Sequence, residues 1–320
     1  MNIIDGKKIA QKIIDELKSR PKPEKIFAAV LVGNPSTSSG QASLSFLKQK
    51  EKVAKELGID FRIYEPEHTK YCVLGRAHTS QCMCSGFQND SLRKFVLKIA
   101  NLKKVGGVIV QLPLPEHLNK HYILNVIPRE KDIDVLGERA LGAFYNGRNI
   151  VLPPAVEVVK EIIENCKLKI ENLRIAVVGA GFLIGKPIAV WLMNQKVKEL
   201  TIFEKGSLPA QAGDLTELKD YDLIISGTGV AGLIKLEMLK QGAGIIDFGY
   251  SMGKELGIMN NELGIKIRGD LDVSDIQNSK FKIQNSGFYT PTPGGTGPIL
   301  VAKIFENFYN LNNEKIKRQL

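Results

Sequence analysis

The chain has 320 residues, 43% of them hydrophobic and 24% charged, a balance that excludes a disordered chain, a collagen-like repeat and a disulfide-stapled miniprotein. Lysine and arginine total 44 against 34 aspartates and glutamates, a net charge of +10. That charge favours acidic partners (nucleic acid, anionic membrane or small polyanions) without choosing among them.

The opening MNIIDGKKIAQKIIDELKSR is polar and amphipathic and lacks the apolar core of a signal peptide. Ile9, Ile13, Ile14 and Leu17 fall at helical spacing within it. Ile26 to Val32 is an apolar run closed by Gly33, the mark of a buried strand. Pro35 to Gly40 reads as a flexible loop. Residues 43–57 read as a helix, with Leu44, Leu47, Val53, Ala54 and Leu57 on one side and Gly58 at its end. Phe61 to Tyr64 suggests a second strand. Residues 67–90 are polar and aperiodic and read as a long surface excursion. A helix over 91–103 and a strand over Val105 to Gln111 follow, stopped by Leu112-Pro-Leu-Pro115. This alternation predicts a parallel sheet covered by helices.

A second alternating unit begins near residue 173. Strands are expected at Leu173 to Val178, Glu199 to Phe203, Asp222 to Ser226 and Ala243 to Asp247, with a helix over Gly185 to Asn194. Two α/β domains are therefore predicted, 1–150 and 151–297. They join around Pro153-Pro154 and a helical stretch over 155–166. The tail, with Ile299, Ala302, Ile304, Phe305 and Phe308 at helical spacing, must pack on something. No run of about 18 or more apolar residues occurs, so no transmembrane helix and no membrane partner are expected. Four cysteines (Cys72, Cys82, Cys84 and Cys166) make no disulfide framework, which points to a reducing cytoplasm. His68, His78, Cys72, Cys82 and Cys84 lie close in sequence, but C-x-C is not the usual zinc-ligand pair, and no metal is expected.

Gly179-Ala180-Gly181-Phe182-Leu183-Ile184-Gly185 follows a strand and opens a helix. Such glycines let the backbone approach a pyrophosphate, whose charge meets the free N–H groups of the helix N-terminus. The next strand ends at Glu204-Lys205. An acidic residue there suits a ribose hydroxyl and a basic one a 2′-phosphate, so NAD against NADP stays open. In the first domain Lys50 lies among Lys48, Lys52 and Lys55 on the helix after the first strand. Gln111 ends the third strand, where ligands meet a parallel sheet, and Asp132 and Asp134 follow in a polar loop. A lysine beside a carboxamide and a carboxylate can polarise a carbonyl or move a proton. Tyr289 to Pro298 is dense in proline and glycine, rigid and open to close ligand approach.

These pieces, in this order, resemble the methylenetetrahydrofolate dehydrogenase/methenyltetrahydrofolate cyclohydrolase family. The carrying segments are Lys48 to Gly58, Val110 to Pro115, Pro128 to Asp134, Gly179 to Pro187, Ile246 to Gly249, Gly269-Asp270 and Thr290 to Pro298. The resemblance implies an N-terminal substrate and catalytic domain and a Rossmann-like, doubly wound cofactor domain. It also implies a cleft between them and a final helix, 298–320, packed back on the first domain. It implies oxidation of 5,10-methylenetetrahydrofolate with NAD(P), NADP taken ahead of NAD, then hydrolysis of the methenyl form to 10-formyltetrahydrofolate, in one-carbon metabolism that includes purine biosynthesis. Lys50 matches the family's catalytic lysine, Gln111 the residue that tunes it, and Asp132 the carboxylate that grips the pterin. Phe46, Leu112, Pro113, Pro293, Gly294 and Gly295 match the substrate site. Gly179, Ala180, Gly181, Phe182, Gly185, Lys186, Glu204, Lys205, Thr228, Gly229, Val230 and Tyr250 fall where the cofactor is held. A cytoplasmic homodimer is implied.

The chain departs from the family at five of these places. Phe46 stands for a tyrosine, Val135 for a glycine, Gly181 for a serine and Lys186 for an arginine. Leu152-Pro-Pro-Ala-Val156 lacks the usual hydroxyl. Phe46 can stack on a pterin but has no hydroxyl to relay a proton, so the alternative is a dehydrogenase with weak or no cyclohydrolase activity. A nucleic-acid-binding protein is the reading from another class. Against it, the lysines are spread along the chain, there is one Trp, and no helix-turn-helix or zinc-finger pattern occurs.

Overall fold

The structure is a computed structural model and describes residues 2–33, 38–66, 88–204, 215–253, 266–274 and 287–313. In chain order it comprises β1 (Asn2–Ile3), α1 (Gly6–Lys18), β2 (Ile26–Val30), α2 (Ser38–Leu57), β3 (Phe61–Tyr64), α3 (Asn89–Ala100), β4 (Val105–Val110), α4 (Lys120–Leu124), α5 (Glu138–Tyr145) and α6 (Pro154–Asn165). Then come β5 (Arg174–Val178), α7 (Gly185–Met193), β6 (Glu199–Phe203), β7 (Leu223–Ser226), β8 (Gly244–Asp247), β9 (Ser251–Gly253), β10 (Lys266–Arg268), β11 (Phe288–Tyr289) and α8 (Thr296–Leu311). They form two compact units, one of residues 12–154 and 301–320, the other of residues 1–11 and 155–300.

The first of these units holds a parallel sheet in the order β3-β2-β4. Every residue of β2 and β4 is buried. That is why both read as continuous apolar runs rather than alternations: helices cover both faces of a parallel strand. On α3, Leu92, Val96, Ile99 and Ala100 form the buried stripe. Phe27 is the centre of this core, its ring 5.0 Å from that of Phe61, 5.2 Å from Phe305 and 5.1 Å from Phe308. The last two residues come from α8, so the C-terminal helix is core to this unit. Truncating the fully buried Phe27, Phe305 or Phe308 to alanine costs ~3–5 kcal/mol.

The other unit holds a six-stranded sheet, β1-β11-β8-β7-β5-β6, with all neighbours parallel. The chain runs from β5 out to β6, then returns to β7 on the other side of β5. Strand order thus reverses beside β5, and the carboxyl ends of β5 and β7 bound the crevice where doubly wound sheets bind ligands. The small sheet repeats the device: β2 leads to β3 on one side and the chain returns to β4 on the other. β9 and β10 form a separate antiparallel hairpin.

Three expectations change. The domain division 1–150 and 151–297 loses its first eleven residues to the unit of the six-stranded sheet, because Asn2 and Ile3 pair with Phe288 and Tyr289. A two-residue strand has no periodicity to read. Second, the Pro35 to Gly40 loop is shortened, since α2 begins at Ser38; residues 34–37 lie outside the described residues. Serine and glycine argue against helix locally, but tertiary context overrides so small a propensity. Third, the excursion over 67–90 ends in helix, because α3 starts at Asn89; residues 67–87 lie outside the described residues. No described helix is long and apolar enough to cross a membrane.

Candidate active site

Lys50 lies on the inner face of α2 and is 6% exposed. Its Nζ donates to Oε1 of Gln111 over 2.9 Å. Gln111 continues the ladder of β4, its N–H donating to the Val30 carbonyl, 2.8 Å. Its Nε2 donates to the Leu112 carbonyl, 3.0 Å away. The amide is thus held with its oxygen toward the lysine. The next bond, Leu112–Pro113, is cis. Phe46 lies one helical turn before Lys50, on the same side of α2, and is half-buried. Burial pulls the Lys50 ammonium below the ordinary lysine range, while Asp134 works the other way. Burial in turn pushes the Asp134 carboxyl up, and Lys50 opposes that.

The two acidic residues of Asp132-Ile-Asp134 face different groups. Asp132 is buried, and its Oδ2 accepts the N–H groups of Leu136, 3.0 Å, and Gly137, 2.7 Å. These bonds fix the turn that leads into α5. Burial pushes its carboxyl up to about 7, against the pull of those N–H bonds. Among the described residues, its Oδ1 has no hydrogen-bond partner. The charge acting on Lys50 is that of Asp134, while Asp132, the carboxylate expected at the pterin, accepts main-chain N–H groups. Spacing alone cannot separate two aspartates in one turn.

Val135 stands at φ +56°, in the left-handed region that a β-branched residue enters at a cost of ~1–2 kcal/mol. This reverses the chain directly after Asp134. Asn307 on α8 holds the loop from behind: its Nδ2 donates to the carbonyls of Ile133, 3.0 Å, and Leu152, 2.9 Å. Asn307 was missed from sequence, and no local pattern marks it.

In the unit of the six-stranded sheet the turn after β5 has Gly179 at φ +93°, a conformation L side chains rarely adopt. A Cβ on Gly185 would lie 1.7 Å from the Gly179 carbonyl oxygen, so the last position of the turn is closed to any side chain. A Cβ on Gly181 would meet nothing nearer than 4.0 Å, so serine fits there. Ala180 and Phe182 complete the turn, and Lys186 is exposed in the first turn of α7. Pro187 costs little there, since no intrahelical partner awaits its missing N–H. The bare glycine cradle beside a helix N-terminus fits a dinucleotide pyrophosphate.

Glu204 is exposed at the end of β6; Lys205 lies outside the described residues. After β7, the N–H of Thr228 donates to Asp270 and the Gly229 carbonyl accepts from Ser251 Oγ. Val230 beyond them is exposed. Tyr250 is half-buried and its phenol is pushed up by burial. In the Pro-Gly-Gly segment Thr292–Pro293 is cis and Gly294 has φ +105°. The turn closes through the Gly295 N–H to the Pro291 carbonyl, 2.7 Å. The Cys72, Cys82 and Cys84 stretch lies outside the described residues.

A doubly wound sheet with a glycine cradle at its switch point, and a second sheet covered by a helix that carries a buried lysine, define a two-domain α/β enzyme of the dinucleotide-linked kind. Residues 4–134 match the model of the tetrahydrofolate dehydrogenase/cyclohydrolase catalytic domain, and residues 153–316 that of its NAD(P)-binding domain. The chain belongs to the tetrahydrofolate dehydrogenase/cyclohydrolase family. It is 31% identical to the bifunctional protein FolD of Halothermothrix orenii, with 95% of each chain covered. It is 28% identical to the FolD of a Hydrogenobaculum species over 99% of this chain and all of that one. A crystal structure of the bifunctional FolD from Campylobacter jejuni, 27% identical, covers both chains fully with a TM-score of 0.76.

Proposed function

We propose that this enzyme oxidises 5,10-methylenetetrahydrofolate to the methenyl form with NAD(P) and hydrolyses the methenyl form to 10-formyltetrahydrofolate. The observation that carries this reading is the buried Lys50–Gln111 hydrogen bond with Asp134 acting on the same ammonium, within a chain whose two halves match the two family domains. When bound, the dinucleotide accepts the two electrons and the hydrogen that leave the methylene carbon. Hydrolysis then adds water to the cationic methenyl carbon, breaks one C–N bond and releases a proton.

A lysine whose pKa burial has lowered takes a proton from water near neutrality far more readily than an ordinary one. Gln111 fixes where Nζ points, and Asp134 balances the ammonium once the proton has moved. Asp132 is a positioning residue through the α5 entry. Phe46 supplies an aromatic face for the pterin, and Leu112, Pro113, Pro293, Gly294 and Gly295 supply apolar or bare backbone walls. The turn Gly179 to Lys186, with Thr228, Gly229, Val230 and Tyr250, holds the dinucleotide. Lys186 and Lys205 support NADP ahead of NAD, with Glu204 the competing ribose partner. A cytoplasmic homodimer belongs to the same reading.

The test is a two-wavelength assay of purified protein given 5,10-methylenetetrahydrofolate with NADP or NAD, repeated with methenyl substrate alone. Reduced dinucleotide without methenyl build-up, and methenyl decay above the uncatalysed rate, is the expected result. Methenyl accumulating with only uncatalysed decay gives the dehydrogenase-only enzyme, and no turnover with either dinucleotide overturns the reading.

A further inference from the structure

Two buried carboxylates at the carboxyl ends of the larger sheet take no part in the chemistry above. Asp270 is fully buried. Its Oδ2 accepts from Ser226 Oγ at 2.6 Å and from the N–H of Thr228 at 2.7 Å. Asp247 is 2% exposed. Its Oδ1 accepts the N–H groups of Gly249, 2.6 Å, and Asp270, 3.2 Å, and its Oδ2 that of Leu271, 3.0 Å. The main chain of Asp247 reaches the other way. Its N–H donates to Thr290 Oγ1, 2.7 Å, and its carbonyl accepts from Thr296 Oγ1, 2.9 Å.

Thr228 opens the loop assigned to the dinucleotide. Thr290 and Thr296 are the two ends of the Pro-Gly-Gly loop assigned to the folate. One continuous run of hydrogen bonds therefore links the two ligand loops through Asp270 and Asp247. The approach is close on both sides. A Cβ on Gly269 would come 2.2 Å from Asp247 Oδ2 and 2.9 Å from Thr292 Oγ1. One on Gly249 would come 2.3 Å from both the amide nitrogen and Oδ1 of Asp270. Burying two like charges side by side is costly, and Asp247 is pushed up to about 6 by burial and by the Asp270 charge. A single carboxylate oxygen can take several charge-assisted N–H and O–H bonds at once, which a neutral side chain does less strongly.

We propose that Asp247 and Asp270 are positioning residues that hold the dinucleotide loop and the folate-lining loop in one frame. Asp270 sets the dinucleotide side, Thr290 the folate side, and Asp247 joins them. The proposal rests on the function given above and adds residues that touch neither ligand.

The test uses Asp270→Ala, Thr290→Val and Asp247→Ala in the full chain. NADPH affinity is read from its own fluorescence, and the folate side from KM for methenyl hydrolysis without dinucleotide. Asp270→Ala is expected to weaken NADPH about ten-fold and leave the methenyl KM within about two-fold. Thr290→Val is expected to do the reverse, and Asp247→Ala to move both. Asp270→Asn, which keeps an acceptor in place, restores most of the affinity. If Asp270→Ala does not fold, Ser226→Ala takes its place, with a rise of about three-fold in the NADPH Kd. Unchanged constants in folded variants, or both constants moving alike in Asp270→Ala and Thr290→Val, overturn the proposal. Failure of the functional reading looks different. The unsubstituted enzyme then turns over neither folate, while NADPH affinity still reads the Asp270 arm.

Discussion

Nζ of Lys50 donates to Oε1 of Gln111 over 2.9 Å, joining a helix to a strand end 61 residues later in the chain. The bond runs from donor to a neutral acceptor, so it orients the lysine without locking its charge. If Lys50 moves the proton, Lys50→Met lowers methenyl hydrolysis by ~10²–10⁴-fold. NADPH affinity stays at its original value, because the dinucleotide turn lies in the other unit. Single-turnover hydrolysis and fluorescence titration read the two arms separately.

Gln111→Glu places a negative charge against the same ammonium. An opposite charge at this distance favours the protonated lysine and raises its pKa. The acid limb of the hydrolysis pH profile is therefore expected to move to higher pH. A profile that falls in height without moving along the pH axis overturns the assignment of that limb to Lys50.

Asp132 gives a stability prediction. Its folded carboxyl stands at about 7, above the ordinary value near 4. The folded state therefore binds the proton more tightly than the unfolded state. Its stabilising contribution is full below about pH 4 and is lost as pH rises through 7, a change of about 4 kcal/mol at most. Asp132→Asn keeps an acceptor for the Leu136 and Gly137 N–H groups and carries no charge. It is expected to be more stable than the natural chain at pH 8.5 and close to it at pH 4.5. Urea denaturation at the two pH values measures this. Asp247, at about 6, has the same sign and leaves a smaller residual slope.

The glycine turn separates two positions that the sequence pattern treats alike. Gly185→Ala drives a Cβ into the Gly179 carbonyl, whereas Gly181 has room. Gly185→Ala is therefore expected to raise the dinucleotide KM by about ten-fold or more, and Gly181→Ser to stay within about two-fold, since backbone displacement at a phosphate cradle removes several N–H contacts together. Steady-state kinetics with NADP decides.

Phe46 is half-buried one helical turn from Lys50. Phe46→Tyr adds a hydroxyl that can donate or relay a proton and leaves the aromatic face in place. Methenyl hydrolysis is expected to rise by a few-fold, with the dehydrogenase rate nearly unchanged. The ratio of the two rates in one assay is the measurement.

The strands that position the site were readable because they are buried on both faces. β2, β4, β5, β7 and β8 are short apolar runs closed by Gly, Pro or a polar residue, and no helix of that composition ends so abruptly. The glycine turn was readable because its steric demand is local, and so were Lys50 and Gln111, which fall at a helix face and a strand end. The C-terminal helix was readable from Ile299, Ala302, Phe305 and Phe308. The resemblance implied that it packs back on the first domain, as it does; that it meets Phe27 there was not readable.

The sequence by itself determined the alternating α/β order, the two-unit division near Pro153-Pro154, the dinucleotide turn and the lysine–carboxamide pair. The first three are set by composition and spacing within a few residues, whereas the pair, 61 residues apart, is what the resemblance to the family implies. The tertiary structure decided that β1 leaves its neighbours to pair with β11, that Asp134 rather than Asp132 acts on Lys50, and that Asn307 braces their loop. It also brought Asp247 and Asp270 together beneath Thr228 on one side and Thr290 and Thr296 on the other. The physical reason is common to all four. Main-chain hydrogen bonds and buried charges find their partners through the fold, and a sequence records the residue type but not the direction in which its polar atoms point.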